Sequence, residues 1–294
     1  MGAVYKILAK VLSSRLKRVL PQIIRDTQSA FTGGRNILDG VLIANEVVDG
    51  WRKTKKRGLI IKIDFENAFD SVKWCFLSSM LFYFGLGAKW ISWVKECVTT
   101  AKLSVLVNGS PTEEFCPQKG LRQGDPLSPF LFNVAVEGLN ILMSRAQQLG
   151  LIKGVTIGSN GVQLTHLQFA DDSILFSEAK EMEVCNIKRV LRCFELISGL
   201  KINYHKSQVC GINVPEESLS SFALKLHCKS KALPLKYLGL PLGANPNKKA
   251  TWKPVLDKIK IRLACWKRKL LSLSGRLTLI KSVTSALPTY YLSL

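Results

Sequence analysis

The sequence predicts an α+β fold in which short antiparallel strands pack against amphipathic helices. Apolar residues recur at helical spacing in residues 4–20, 37–50 and 178–198, a pattern typical of helices with one buried face. Other short apolar runs are separated by tight-turn signals such as Asn108-Gly109, which predict β-hairpins. With 294 residues, of which 47% are hydrophobic, the chain is long enough to bury one large core or two modest ones.

The balance of charged residues predicts a polyanionic partner. Forty-two Lys and Arg residues face 21 Asp and Glu residues, which gives a net charge of +21. Such a surplus most often reflects nucleic-acid binding, although charge alone leaves a ribosomal-type structural role open. No apolar run reaches the length of about 18 residues that a membrane span requires. An anionic membrane is possible on charge, but no lipidation motif or strongly amphipathic anchor supports it, so we expect no membrane partner. The scattered cysteines and few histidines lack zinc-site spacing, so we expect no structural zinc.

The helices are expected to have clear ends. Pro21 is predicted to close the N-terminal helix, and Gly85 to stop a helix that carries residues 72–84. Ser128 is expected to cap, and Pro129 to start, a long helix that runs to about Gly150. The predicted packing stripe of the N-terminal helix consists of Val4, Ile7, Leu8, Val11, Leu12, Leu16, Val19 and Leu20.

Two adjacent aspartates, Asp171 and Asp172, separate two short apolar runs within residues 167–176. The pattern predicts a strand, a tight turn and a second strand. Carboxylates between two hydrophobic strands are costly to bury unless a positive group is present to receive them. The stretch by itself therefore fits a solvated turn and a metal site equally well. Carboxylate oxygens would favour Mg²⁺ or Mn²⁺.

A third carboxylate, Asp64, lies at the end of the buried strand predicted over residues 59–65. Two strands that end side by side would bring Asp64 close to the aspartate pair. Two divalent ions about 3.5–4 Å apart, bridged by such carboxylates, activate a hydroxyl group and stabilise a pyrophosphate leaving group. Together with the basic surface, this arrangement favours nucleotidyl transfer over a purely structural turn.

Several segments resemble the motifs of one family, in the same order and spacing. Gln28–Phe31 with Gly34-Arg35 resembles its early fingers motif, and residues 61–70 (IKIDFENAFD) resemble its first catalytic motif. The template and nucleotide motif, the aspartate-pair box, the motif that follows the box and the primer-grip region are matched by residues 120–129, 169–172, 199–207 and 237–241. Over essentially its whole length, the chain is similar to the reverse transcriptases of plant non-LTR (LINE-type) retrotransposons.

The resemblance implies a right-hand polymerase, with fingers and palm in residues 1–243 and a partial helical thumb in residues 248–294. It implies an RNA-directed DNA polymerase that adds deoxynucleotides to a primer 3′ end with two Mg²⁺ or Mn²⁺ ions. The implied partners are an RNA template, a DNA primer or duplex and dNTPs, and the implied location is the nucleus. Family members usually carry an endonuclease domain upstream, so we expect the chain to be part of a longer element.

The family's residue roles carry over to matching positions. Asp64, Asp171 and Asp172, with the backbone carbonyl of Phe65, would bind the metals. Phe69 would lie under the incoming sugar, although a core aromatic is an equally good interpretation. The remaining candidates are Gln123 and Gly124 at the incoming nucleotide, Lys206 as proton donor to pyrophosphate, and Lys62 and Arg35 at phosphates. The alternatives are ordinary loop geometry for the first two and a solvated surface position for a lone lysine.

Two other classes of function remain open. One is an inactive nucleic-acid-binding remnant of a retroelement, against which the intact set of three aspartates argues. The other is an RNA-templated RNA polymerase, which Phe69 disfavours because a ribonucleotide needs room at the 2′ position. Phe169 stands where many reverse transcriptases have Tyr, a change that keeps the aromatic ring.

Overall fold

A computed structural model describes residues 3–158, 161–262, 271–284 and 291–292 of the chain. Its helices are α1 (Ala3–Ile23), α2 (Ile37–Thr54), α3 (Ala68–Ser71), α4 (Trp74–Tyr83), α5 (Ala88–Thr99), α6 (Ser128–Gln148), α7 (Glu181–Ser198), α8 (Glu216–Leu226), α9 (Lys249–Arg262) and α10 (Leu273–Leu279), and a π-helical turn covers Ile280–Thr284. Its strands are β1 (Gly58–Ile63), β2 (Phe65–Glu66), β3 (Leu106–Val107), β4 (Ser110–Pro111), β5 (Val155–Ile157), β6 (Val162–Leu164), β7 (His166–Phe169), β8 (Asp172–Glu178), β9 (Lys201–Ile202), β10 (Gln208–Ile212), β11 (Lys229–Ser230), β12 (Leu235–Tyr237) and β13 (Leu240–Leu242). The predicted mixture of helices and antiparallel hairpins is confirmed.

The central sheet has the strand order β11-β10-β1-β8-β7. Strand β1 pairs antiparallel with β10 on one side and with β8 on the other. Strand β7 joins β8 through the predicted hairpin, and only the short β10–β11 pair is parallel. Strand β1 therefore lies in the middle of the sheet, which explains why its apolar residues form a continuous run.

The two faces of the sheet belong to two hydrophobic clusters. Leu59, Ile61 and Ile63 of β1 pack in the cluster that contains α6 and α7 residues. Ile60, between them in sequence, packs in the cluster that contains residues of α2, β12 and β13. The alternation follows from the two-residue period of a strand. Lys62 consequently lies on the second face of the sheet, as does Ile174, the residue directly opposite it on β8.

Helix α1 uses a narrower packing face than predicted. Its buried residues are Ala9, Leu12, Ser13, Leu16 and Leu20, whereas five residues of the predicted stripe are exposed, namely Val4, Ile7, Leu8, Val11 and Val19. The prediction was wrong for these five because α1 packs on the body of the protein along a single seam, so apolar side chains to either side of the seam stay in solvent. Pro21 also does not end α1, which continues to Ile23.

The helix predicted to carry residues 72–84 is confirmed as α4, but it begins at Trp74 rather than at Val72. Val72 is extended (φ −60°, ψ 120°) and separates α3 from α4. Its carbonyl accepts a hydrogen bond from Gly120 N at 2.8 Å, and Lys73 N donates to Ser198 O at 2.9 Å. These long-range bonds use backbone groups that a continuous helix would have paired internally.

No helix in the described ranges combines the length and apolar character needed to cross a membrane.

Helix α6 carries a buried polar stripe that faces the loop after α1. Asn133, Glu137 and Asn140 are all at most 1% exposed. Asn133 Nδ2 donates to Ala30 O at 2.6 Å, and Asn140 Nδ2 donates to Glu137 Oε2 at 3.0 Å. Thr27 Oγ1 donates to Asn140 Oδ1 at 2.7 Å. The stripe therefore fixes the backbone of residues 27–30 against the core.

Glu137→Gln should make the protein more stable at pH 8 but not at pH 4.5. Burial raises the Glu137 pKa to about 7 from an ordinary value of 4.5, despite hydrogen bonds and the charge of Arg25 that oppose the shift. The unfolded chain releases this proton at lower pH than the folded protein, so stability is lost as pH rises from 4.5 to 7. The shift corresponds to about 3 kcal/mol. Urea unfolding of both proteins across this range measures it, and a pH-independent difference would contradict the assignment.

Candidate active site

The register of the central sheet places Asp64 beside the aspartate pair. Ile63 is the last residue of β1 and lies opposite Ser173 of β8, so Asp64 follows at the level of Asp172. Phe169 pairs with Asp172 to close the β7–β8 hairpin, and Ala170 (φ +53°) and Asp171 form its turn. The three candidate carboxylates are thus collected at one end of the sheet, as predicted.

The electrostatics of Asp171 show that the three carboxylates influence one another. Partial burial raises the Asp171 pKa above its usual value, and the negative charges of Asp172 and Asp64 raise it further, whereas Lys62 lowers it. Like charges in such proximity are unfavourable without a cation to compensate them. The site therefore has the charge character of a cation-binding site.

The donor set fits a hard divalent cation, because all three side chains offer carboxylate oxygens. Lys62 Nζ lies 3.2 Å from Asp172 Oδ1 and supplies positive charge to that carboxylate. In their present rotamers, no three acidic, His or Cys side chains of the described residues are close enough to hold one ion. Side-chain rotation would therefore have to accompany metal binding.

The three predicted cationic residues have different surroundings. Lys62 Nζ also donates a hydrogen bond to Lys236 O at 3.2 Å, which links strand β1 to strand β12. The Arg35 guanidinium donates to Ile24 O and Gln28 O, so its donors serve the protein itself. Lys206 is exposed in the turn between β9 and β10. Phosphate binding by Lys62 or Arg35 stays a prediction, and each would have to exchange a protein partner for the phosphate.

Phe69, on α3, contacts helix α6 and the loop that precedes it. Its ring stacks on the buried Phe132 ring, with centroids 4.6 Å apart and an interplanar angle of 21°. Leu121 N donates to Phe69 O at 2.6 Å. A Cβ at Gly120 (φ +95°) would lie 2.8 Å from Asp70 O, so this close contact requires glycine.

Gln123 and Gly124 lie exposed at the tip of the same loop. Behind them Asp125 is buried, accepting a hydrogen bond from Leu127 N at 2.8 Å and another from the Tyr5 hydroxyl. The loop is therefore anchored at its base while its tip stays open to solvent. Asp125 therefore has a local, structural role in this loop.

Comparison with known proteins decides the family. Residues 1–242 match the family model described as reverse transcriptase (RNA-dependent DNA polymerase). The chain belongs to the reverse transcriptase family. Reverse transcriptases use divalent metal ions, in agreement with the donor set at Asp64, Asp171 and Asp172.

The reverse transcriptase domain has relatives among non-LTR retrotransposon proteins. It is 28% identical over 289 residues to the transposon TX1 uncharacterized 149 kDa protein of Xenopus laevis, covering 96% of this chain and 21% of the relative. It is 27% identical over 207 residues to the retrovirus-related Pol polyprotein from type-1 retrotransposable element R2 of Popillia japonica, covering 70% of this chain and 28% of the relative. The domain thus spans about a fifth to just over a quarter of these proteins.

Solved structures show that the domain has a right-hand polymerase fold. Telomerase from Candida tropicalis, in complex with a fragment of telomeric RNA, is similar with a TM-score of 0.56 and 14% identity, covering 96% of this chain and 45% of that chain. The apo telomerase truncated from its C-terminal domain gives a TM-score of 0.55 at 14% identity, covering 81% and 44%.

The sequence did not indicate which residues hold Asp64 in place. Asp64 N donates to Ser207 Oγ at 3.2 Å, and Asn203 N donates to Asp64 O at 2.8 Å. Ser207 Oγ in turn donates to Asn203 O at 2.8 Å. Residues 203–207 of the reverse transcriptase domain therefore bond both backbone groups of Asp64. Their resemblance to a family motif was the only signal available.

Gln28 performs the corresponding task for the aspartate turn, which the sequence also did not show. Its Oε1 accepts hydrogen bonds from Ala170 N at 3.1 Å and from Ala30 N at 3.0 Å. Ala170 has a positive φ and immediately precedes Asp171. The backbone of residues 27–29 adds two further bonds to Gln168, from Gln168 N to Thr27 O and from Ser29 N to Gln168 O. Gln28 is therefore a positioning residue for the turn.

Gln28→Met should loosen the turn and destabilise the domain by about 2 kcal/mol or more, because two buried N–H groups lose their acceptor. Gln168→Met is the matched control, since Gln168 is also 1% exposed. Neither amide atom of its side chain has a hydrogen-bond partner within the described part of the chain. Urea unfolding and titration with Mn²⁺, followed by EPR of the free ion, test both variants. Equal effects of the two substitutions would remove the special role of Gln28.

Proposed function

We propose that this domain copies RNA into DNA during the retrotransposition of a non-LTR element of the plant LINE type. The observation that carries the proposal is the collection of Asp64, Asp171 and Asp172 at the adjoining ends of β1 and β8. It occurs in a chain that matches the reverse transcriptase family over residues 1–242. The relatives named above are transposon and retrotransposon proteins, which supports the role in retrotransposition.

In this proposal the three aspartates, with the Phe65 carbonyl, hold two Mg²⁺ or Mn²⁺ ions. Bound there, the ions activate the primer 3′ hydroxyl and stabilise the pyrophosphate leaving group. The domain's own residues hold the substrates in line, which is the main protein contribution to phosphoryl transfer. Gln123 and Gly124 contact the incoming dNTP, and Phe69 packs against its sugar. Lys206, in the exposed turn that also fixes Asp64, gives a proton to pyrophosphate in this proposal.

The basic surface is proposed to hold the primer–template duplex. In the thumb, residues 248–294, we propose that a set of basic residues contacts the duplex: Lys258, Arg262, Lys267, Arg268 and Lys269. Lys258 lies on α9, whereas the Arg262 side chain and the other three residues lie outside the described residues. The division into fingers and palm (residues 1–243) and thumb stays part of the proposal. The nuclear location is also part of the proposal, because a retrotransposon inserts into chromosomal DNA.

Primer extension tests the function directly. The purified domain is incubated with poly(rA)·oligo(dT), dTTP and Mg²⁺, and extension of the primer by many nucleotides is expected. Binding without extension would favour the inactive remnant. Efficient incorporation of UTP would favour the RNA-templated RNA polymerase. Omission of the metal, with EDTA present, is the matched control.

A further inference from the structure

A cleft of about 610 Å³ opens beside the catalytic turn. Its walls include three aromatic side chains, Phe31, Phe130 and Phe169, together with Lys17. Phe169 pairs with Asp172 in the β7–β8 hairpin, so the cleft adjoins the carboxylate site. None of the proposed roles above uses Phe31 or Phe130.

Phe31 presents its ring to solvent from a strained backbone. Its side chain is 50% exposed, and its φ is +53°, a left-handed conformation that is rare for a bulky residue. The neighbouring backbone holds it there, because Ala30 N donates to Gln28 Oε1 and Ala30 O accepts from Asn133 Nδ2. Strain of this kind persists only where the surroundings over-determine it, and it clusters at functional sites.

The ring of Phe31 is also supported from one side. Phe130 packs edge-to-face against it, with centroids 6.5 Å apart and an interplanar angle of 73°. Gly33 and Gly34 follow in the chain, and a Cβ built on either would meet no atom within 4 Å. Because Phe130 supports the Phe31 ring on one side and half of the side chain is exposed, a second flat ring has room to stack on it.

We propose that Phe31 is a stacking platform for an unpaired base of the template strand next to the primer end. Aromatic stacking suits a template because every base has a π-face, so the contact tolerates each sequence that passes. The guanidinium of Arg35, which also lines the cleft, already donates to backbone carbonyls of residues 24–28. Lys17 contributes positive charge for a neighbouring phosphate. This inference rests on the proposed function.

The test places 2-aminopurine at the first unpaired template position of a primer–template and measures its fluorescence without dNTP. The wild-type domain should quench the probe, and Phe31→Ala should restore fluorescence and weaken binding of the overhanging template about tenfold. Affinity for a blunt duplex should not change. Phe31→Trp, which keeps a platform, should retain the quenching.

Two further variants keep the test decisive. Phe31→Gly removes the ring but suits a positive φ, so it separates loss of stacking from misfolding. Phe82→Ala is the matched control, because Phe82 is 74% exposed on α4 and does not line the cleft. Quenching unchanged in Phe31→Gly, in a domain that still extends primers, would overturn the platform and leave the polymerase function standing. A wild-type domain that neither binds nor extends primer–template would overturn the proposed function itself.

Discussion

Replacing Asp171 by Asn is expected to reduce primer extension by about three orders of magnitude or more. Metal ions held by these carboxylates would stabilise transition-state charge by several kcal/mol, and each 1.36 kcal/mol is tenfold in rate. Asn lacks the negative charge that Asp171 shares with Asp64 and Asp172 at the end of the sheet. Primer–template affinity should change little, because it comes from cations on the phosphates. The measurements are single-nucleotide extension rates and duplex binding for both proteins.

Asp70→Asn is the matched control for this substitution. Asp70 is exposed on α3, six residues after Asp64, and is not among the proposed metal-binding residues. The variant should extend primers at close to the wild-type rate. An Asp171→Asn domain that extends as well as the Asp70→Asn domain would exclude the aspartate pair from the mechanism.

Replacing Phe69 by Val is expected to admit ribonucleotides. The stack on Phe132 fixes the plane of the Phe69 ring, and a rigid overlap with a 2′-hydroxyl costs typically about 1–3 kcal/mol. That cost corresponds to roughly 5- to 150-fold in rate. Val removes the ring, so the ratio of kcat/KM for dTTP to that for UTP should fall by such a factor. Addition of dTTP should weaken only moderately.

The structure also sharpens the alternative interpretation of Phe69. Because its ring is half-buried on Phe132, truncation should lower the free energy of unfolding in either case. Phe76→Val provides the comparison, since Phe76 is likewise half-buried and packs against Phe194. If both variants lose stability but only Phe69→Val changes sugar preference, Phe69 is the gate. An unchanged dTTP/UTP ratio would leave Phe69 as a core aromatic alone.

The aspartate hairpin and the strand before Asp64 were predictable, because each is determined by residues that are adjacent in sequence. Apolar runs around Asp171 and Asp172 predicted the hairpin, and the structure forms it as β7 and β8. The same holds for β1 before Asp64, whose apolar run marks a strand buried on both faces. The spacing of apolar residues and the residue types of a turn depend on neighbours in sequence, so a single sequence was sufficient to predict these elements.

Other features could not be predicted from the sequence, because contacts between distant segments decide them. Val72 was predicted to lie in a helix, yet its carbonyl accepts a hydrogen bond from Gly120 N and α4 begins only at Trp74. Arg35 has the appearance of a free loop cation, yet it donates to carbonyls near the end of α1. Neither bond has a signature in its own segment, because each partner comes from a remote part of the chain.

The sequence by itself determined the types of secondary structure, the three carboxylates at strand ends and the basic surface of the protein that favours a polyanionic partner. Only the tertiary structure decided that β1 pairs with β8 in the register that sets Asp64 level with Asp172. It also decided that Gln28 bonds Ala170 N and that Ser207 bonds Asp64 N. The physical reason is that local propensity acts over a few residues, whereas a buried N–H group must be paired by whichever acceptor packing brings to it.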